Sequence, residues 1–232
     1  MRAERLRAEL DRLGAASFLV TNPVDVRYLT GFESSNAAVL VGRDRVLLAT
    51  DGRYLAAAGA VEGVDVVTAD RELLADLGGR LGGLTEAPVA FQSDHVTVAG
   101  LEALSQNGTE LVPAPGVLLS LRAVKEEGEL EAIRRAARIT NDGYERLAEE
   151  RLVGRTEAEV AWWLEQVLRE EGAEGLAFDV IVASGPNAAL PHHHPGPREI
   201  RPAETVIVDA GAKVGGYCAD CTRTFATGLL PT

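Results

Sequence analysis

The chain has 232 residues, 46% of them apolar and 25% charged, a globular balance that excludes a disordered polymer, collagen-like repeats and a small disulfide scaffold. The net charge of -12, with acidic residues spread along the chain, opposes phosphate backbones and anionic lipid, so neither nucleic acid nor a membrane is expected as a partner. The stretch Met1 to Leu13 alternates charge with Leu instead of forming a signal-peptide core, and only Cys218 and Cys221 are present; a cytoplasmic protein is expected.

In chain order, Leu6, Leu10 and Leu13 recur at helical spacing before Gly14, which predicts an opening helix with a glycine C-cap. Short apolar runs follow at Ser17 to Thr21, Ala37 to Val41, Val46 to Ala49, Val64 to Thr68, Pro88 to Phe91 and Glu110 to Val112. These read as strands, with helices near Arg53 to Gly59, Arg71 to Leu81 and Val96 to Leu104 and a hairpin turn at Gly42 to Arg45. The pattern is that of an α/β domain with a mixed sheet.

A different texture begins near residue 122. Leu130, Ile133, Ala137 and Thr140 mark a long helix within Lys125 to Glu150. Thr156 and Glu159 form a capping box ahead of Val160, Trp163, Leu164, Val167 and Leu168. Trp162 and Trp163 are read as groove-edge and core residues. Strand-like segments follow at Phe178 to Ala183, Thr205 to Ala212 and Gly216 to Ala226, and the domains are placed at 1–122 and 123–232.

The stretch from Val206 through Asp209-Ala210-Gly211-Ala212 to Gly215-Gly216 and on to Asp220-Cys221-Thr222 reads as a hairpin. With the turn centred between Val214 and Gly215, partner numbers sum to about 429 and Asp209 faces Asp220. Opposed like charges at roughly 5 Å destabilise a sheet unless compensated. Two divalent cations would compensate them; the alternative is an acidic turn with one solvated or proton-sharing carboxylate. Thr222 shares a face with Asp220 and is placed to hydrogen-bond a metal-bound carboxylate, or simply to pair across the strands. Cys218 and Cys221 have no second thiol pair for a structural zinc and are read as strand packing. In the run His192-His193-His194 only the first and third share a side of an extended chain. One of them could hold a substrate carbonyl beside a metal centre; a solvated loop is the alternative.

These residues resemble the proline-specific metallopeptidases with the pita-bread fold, Xaa-Pro dipeptidase (prolidase) and aminopeptidase P. Asn22-Pro23, Arg27 to Phe32 and Asp51 to Tyr54 are similar to the creatinase-type amino-terminal domain; Leu121 to Lys125 is similar to the start of the catalytic domain. Phe178 to Pro191 with His192 resembles the substrate-side loop, and Asp209 through Thr224 the first metal-ligand hairpin. The resemblance implies that Asp209 and Asp220 bind two divalent metal ions, usually manganese, with cobalt or zinc as alternatives. It makes His192 the catalytic residue that contacts substrate near the scissile bond, and adds Phe178 to the substrate-binding side. His193 and His194 inherit no role. The implied substrate is an Xaa-Pro dipeptide or proline-containing peptide, and a homodimer is expected.

The family completes its site with one further His and two Glu downstream, whereas this sequence has no His after His194 and no Asp or Glu after Asp220. The chain is therefore expected to be an amino-terminal portion, inactive alone, carrying the first, incomplete half of a pita-bread α+β domain and able to pair with its missing carboxy-terminal half. A creatinase-like amidinohydrolase and a non-catalytic binding module on the same fold are the competing readings.

Overall fold

The computed structural model describes residues 2–229. The chain divides into two compact units, one up to Val124 and the other from Lys125 onward.

The first unit opens with helix α1 (Arg2–Leu13), whose Leu6 and Leu10 are fully buried and whose end is marked by Gly14 at φ +62°. Strand β1 (Ser17–Val20) leads to helix α2 (Pro23–Thr30), then to the hairpin β2 (Ala37–Gly42) and β3 (Val46–Thr50), closed by Gly42 N–H donating to Arg45 O. Next come α3 (Leu55–Ala58), β4 (Asp65–Thr68), α4 (Leu73–Leu84), β5 (Val89–Phe91), α5 (Val98–Leu104), β6 (Leu111–Pro113) and α6 (Val117–Ala123). The six strands form one mixed sheet in the order β4-β3-β2-β1-β5-β6. Pairings of β1 with β2 and β2 with β3 are antiparallel; the other three are parallel.

Alternate residues of these strands feed two cores. Phe18, Val20, Val39, Val41 and Leu48 pack with Leu6 and Leu10 of α1, Val26 and Tyr28 of α2 and Leu118 of α6. Leu19, Ala38, Leu40, Leu47 and Phe91 pack with Leu73, Leu77 and Leu81 of α4 and Leu104 of α5. A sheet covered on both faces explains why its strands read as unbroken apolar runs.

Two helices here lie outside the sequence expectation. The α2 helix is only eight residues long, yet its signals are complete: Asn22 accepts Val24 N–H at 2.9 Å, Pro23 occupies the first turn and Gly31 at φ +73° ends it. The α6 helix covers a stretch to which the apolar periodicity assigns no element.

The second unit starts with α7 (Glu127–Glu149) and α8 (Glu157–Glu170), each opened by a capping box, Glu126 with Glu129 and Thr156 with Glu159. Gly143 lets the two helices approach, since a Cβ there would lie 2.8 Å from a Leu168 methyl. After α8 come β7 (Gly175–Leu176), β8 (Ile181–Ser184), a 3-10 turn over Gly185–Ala189, β9 (Thr205–Ala210), β10 (Ala212–Val214), β11 (Tyr217–Cys218) and β12 (Cys221–Ala226). They make two three-stranded antiparallel sheets, β12-β9-β8 and β11-β10-β7. Ile139 and Leu147 of α7 and Leu164 and Leu168 of α8 pack on Val182, Val206, Val208, Ala210 and Ala212.

Where the predicted long strands are interrupted, the reason is steric. A Cβ on Gly211 would stand 1.9 Å from Ala219 O, so the two arms of the hairpin come too close there for regular pleating. The backbone groups find partners nonetheless. Gly211 O accepts Ala177 N–H, Ala212 N–H donates to the Thr140 hydroxyl at 3.0 Å, and Ala212 O accepts Ala219 N–H.

Candidate active site on the β9–β12 hairpin

The turn of the hairpin is Gly215-Gly216, both left-handed at φ +57° and +75°, as a two-residue turn requires. Its two N–H groups donate to the Glu174 carboxylate at 2.6 and 3.2 Å. Centring the turn on this pair moves every partner two residues from the expected register. Lys213 therefore faces Cys218 and Asp209 faces Thr222; Asp209 does not face Asp220. The expectation of directly opposed aspartates is thus corrected, because two αL glycines, and not Val214 with Gly215, form the turn.

This register relaxes the electrostatic problem. Thr222 Oγ1 donates to Asp209 Oδ1 at 2.7 Å, so the position opposite the first carboxylate holds a donor instead of a second charge. Asp220 lies two residues before Thr222 and is exposed. Asp220 sits in the break between β11 and β12, one residue outside the ladder that pairs Cys221 with Ala210 and Thr222 with Asp209. Asp209 is half-buried, with Ile181 of β8 as its partner on the other side.

Tyr144 of α7 braces this ladder from beneath. Its hydroxyl lies 3.0 Å from Val208 O and 2.5 Å from Cys221 O, and its ring stacks on Phe225. Burial, with Cys221 and Asp209 adding to it, pushes the phenol well above its ordinary range, so it remains protonated and can donate. Both cysteines are free, and Arg223 reaches Cys221 Sγ at 2.8 Å.

The remaining predicted residues sit on other segments. Phe178 is half-buried in the bend between β7 and β8. His192 and His194 are exposed, whereas His193 turns the other way and its Nε2 lies 2.7 Å from Glu157 Oε2. His193, without a role in the sequence resemblance, is an anchor. Glu157 escaped the sequence reading because its partners lie 27 to 39 residues further on. It is fully buried. Burial works to raise its pKa, but hydrogen bonds from His193, Asn187 and Ser184 outweigh this and hold it at about 2.

Among the described residues, no group of three or more His, Cys, Asp or Glu side chains is placed to hold a metal ion. Asp209 and Asp220 supply hard oxygen donors, one of them oriented by a hydroxyl, which suits part of an oxygen-rich divalent site.

Comparison with known proteins agrees with this architecture. Residues 2–124 match the creatinase/prolidase N-terminal domain and residues 131–232 match metallopeptidase family M24. An uncharacterised peptidase of Bacillus subtilis, YqhT, is 31% identical over 98% of this chain and 65% of its own length. The Xaa-Pro dipeptidase from Bacillus anthracis superposes with a TM-score of 0.91 at 32% identity, over 99% of this chain and 65% of that one. The X-Pro aminopeptidase from Thermotoga maritima gives 0.86 at 30% identity, over 100% and 66%. The chain spans about two thirds of the length of these relatives. It belongs, by both of its matched segments, to the M24 metallopeptidases with a creatinase/prolidase-type amino-terminal domain.

Proposed function

We propose that this chain supplies the amino-terminal domain and two metal ligands, Asp209 and Asp220, of a dinuclear peptidase that cleaves the bond before proline. The observation that carries the reading is the Asp209–Thr222 pair with Asp220 two residues away, on a hairpin inside the segment that matches the metallopeptidase family. Two divalent ions, manganese being our choice, would supply Lewis acidity and activate water when bound. Asp209 and Asp220 would hold them, Thr222 would keep Asp209 oriented, and exposed His192 would meet the substrate carbonyl side, with Phe178 on the substrate flank. Proline's tertiary amide lacks the N–H that extended substrate binding uses, which gives such an enzyme its niche. Free thiols at Cys218 and Cys221 support a reducing, cytoplasmic setting, and we expect a homodimer.

Further ligands are to come from outside the described residues, because two carboxylates neither neutralise nor cage two dications. Residues 1–232 alone should therefore bind manganese weakly and leave Xaa-Pro dipeptides intact; robust turnover by them would refute this. For the peptidase itself, hydrolysis of Xaa-Pro over Xaa-Ala dipeptides should be lost in Asp209→Ala. Equal cleavage of both substrates would overturn the proline assignment.

A further inference from the structure

The Glu157 carboxylate serves both ends of one loop, with the Asn187 amide reaching Oε2 at 3.2 Å as well as Oε1. Oε1 accepts Ser184 N–H at 2.8 Å, the Ser184 hydroxyl at 2.7 Å and the Asn187 amide at 3.0 Å, where the loop leaves β8. Oε2 lies 2.7 Å from His193 Nε2 and 3.4 Å from Gly196 N, where the loop returns. An ionised carboxylate only accepts hydrogen bonds, so Nε2 of His193 carries the proton. The backbone of α8 adds to the closure, with Glu157 N–H donating to Arg198 O and Ala158 N–H to Gly196 O. Arg198 then returns to the Ser184 hydroxyl at 2.5 Å and pairs with Glu204.

We propose that Glu157 is a positioning residue: its carboxylate clips the loop from Ser184 to Gly196 shut, turning His193 inward so that His192 and His194 are presented outward. His193 N–H closes a turn onto Leu190 O at 3.3 Å with Pro191 and His192 at its centre, so anchoring the His193 ring also fixes the turn that carries His192 on the exposed side. A tethered loop presents His192 with less ordering entropy left to lose on binding substrate. The consequence for turnover rests on the peptidase reading above; the hold on the loop does not.

Two measurements separate these. In amide hydrogen exchange on this chain, Glu157→Gln should speed exchange at both Ser184 and Gly196 at least about tenfold, as expected for loss of charge-assisted bonds, while Val206 to Ala210 stay protected. His193→Ala lies at a less buried position and should release Gly196 but spare Ser184. Unchanged exchange at Gly196 in His193→Ala, or at both ends in Glu157→Gln, overturns the clip. In the peptidase, Glu157→Gln should raise KM for an Xaa-Pro dipeptide roughly fivefold or more with kcat nearly unchanged. A loss confined to kcat overturns the positioning role. Absence of any hydrolysis by the wild-type enzyme refutes the peptidase reading and leaves the exchange data to decide the clip.

Discussion

Thr222 faces Asp209 directly across β9 and β12 and gives it a 2.7 Å hydrogen bond. That single donor holds one carboxylate oxygen of Asp209 in a set direction. Removing the hydroxyl while keeping the side-chain shape isolates its effect. On the metal-binding role proposed for Asp209, Thr222→Val in the full-length peptidase is expected to weaken manganese binding about tenfold, as for other groups that orient a metal ligand. Titration calorimetry checks this, and an affinity equal to wild type would assign the hydroxyl to strand pairing alone.

Tyr144 ties Val208 to Cys221 from below the same ladder. Replacement by Phe keeps the ring stacked on Phe225 but leaves two buried carbonyls with one donor fewer. A loss of about 1 to 3 kcal/mol is expected in urea unfolding. Because the cross-strand Asp209–Thr222 pair lies beside this brace, manganese affinity should fall in the same variant; stability lost without affinity would separate the two.

Glu157 makes the fold sensitive to acid. Its folded-state value of about 2 lies below the ordinary 4.5, so the ionised form is favoured in the folded protein. Its stabilisation is complete above about pH 4.5 and drains away as pH falls toward 2, a total of about 3 kcal/mol. Urea midpoints measured from pH 6 downward should show a steeper acid decline for wild type than for Glu157→Gln. Parallel curves would show that the carboxylate contributes nothing specific.

Adjacent glycines in α4 should respond oppositely to the same change. A Cβ on Gly78 would lie 2.1 Å from Ala103 O of α5, whereas a Cβ on Gly79 meets nothing within 4 Å. Gly78→Ala is expected to cost about 2 to 3 kcal/mol by forcing the helices apart. Gly79→Ala should stabilise by roughly 0.5 to 1 kcal/mol through helix propensity. Thermal melts of the two variants decide it.

Periodicity alone located all six strands of the first unit and both long helices of the second, because burial on one face or two leaves a repeat that can be read locally. The Thr156–Glu159 cap was legible for the same reason, its partners being three residues apart. The α2 helix was legible too, in Asn22, Pro23 and Gly31, but its short length hid it among the strands. Asp209 stands out in sequence at the end of the apolar run Val206 to Val208, with Asp220 and Thr222 on the returning arm. Their pairing does not, because moving the turn centre by one residue changes every partner by two, and the choice was made by Gly215 and Gly216 adopting left-handed backbone together. Glu157 and His193 lie furthest beyond local reading. Their bond spans 36 residues and exists only because α8 and the returning loop pack side by side, which no spacing rule encodes.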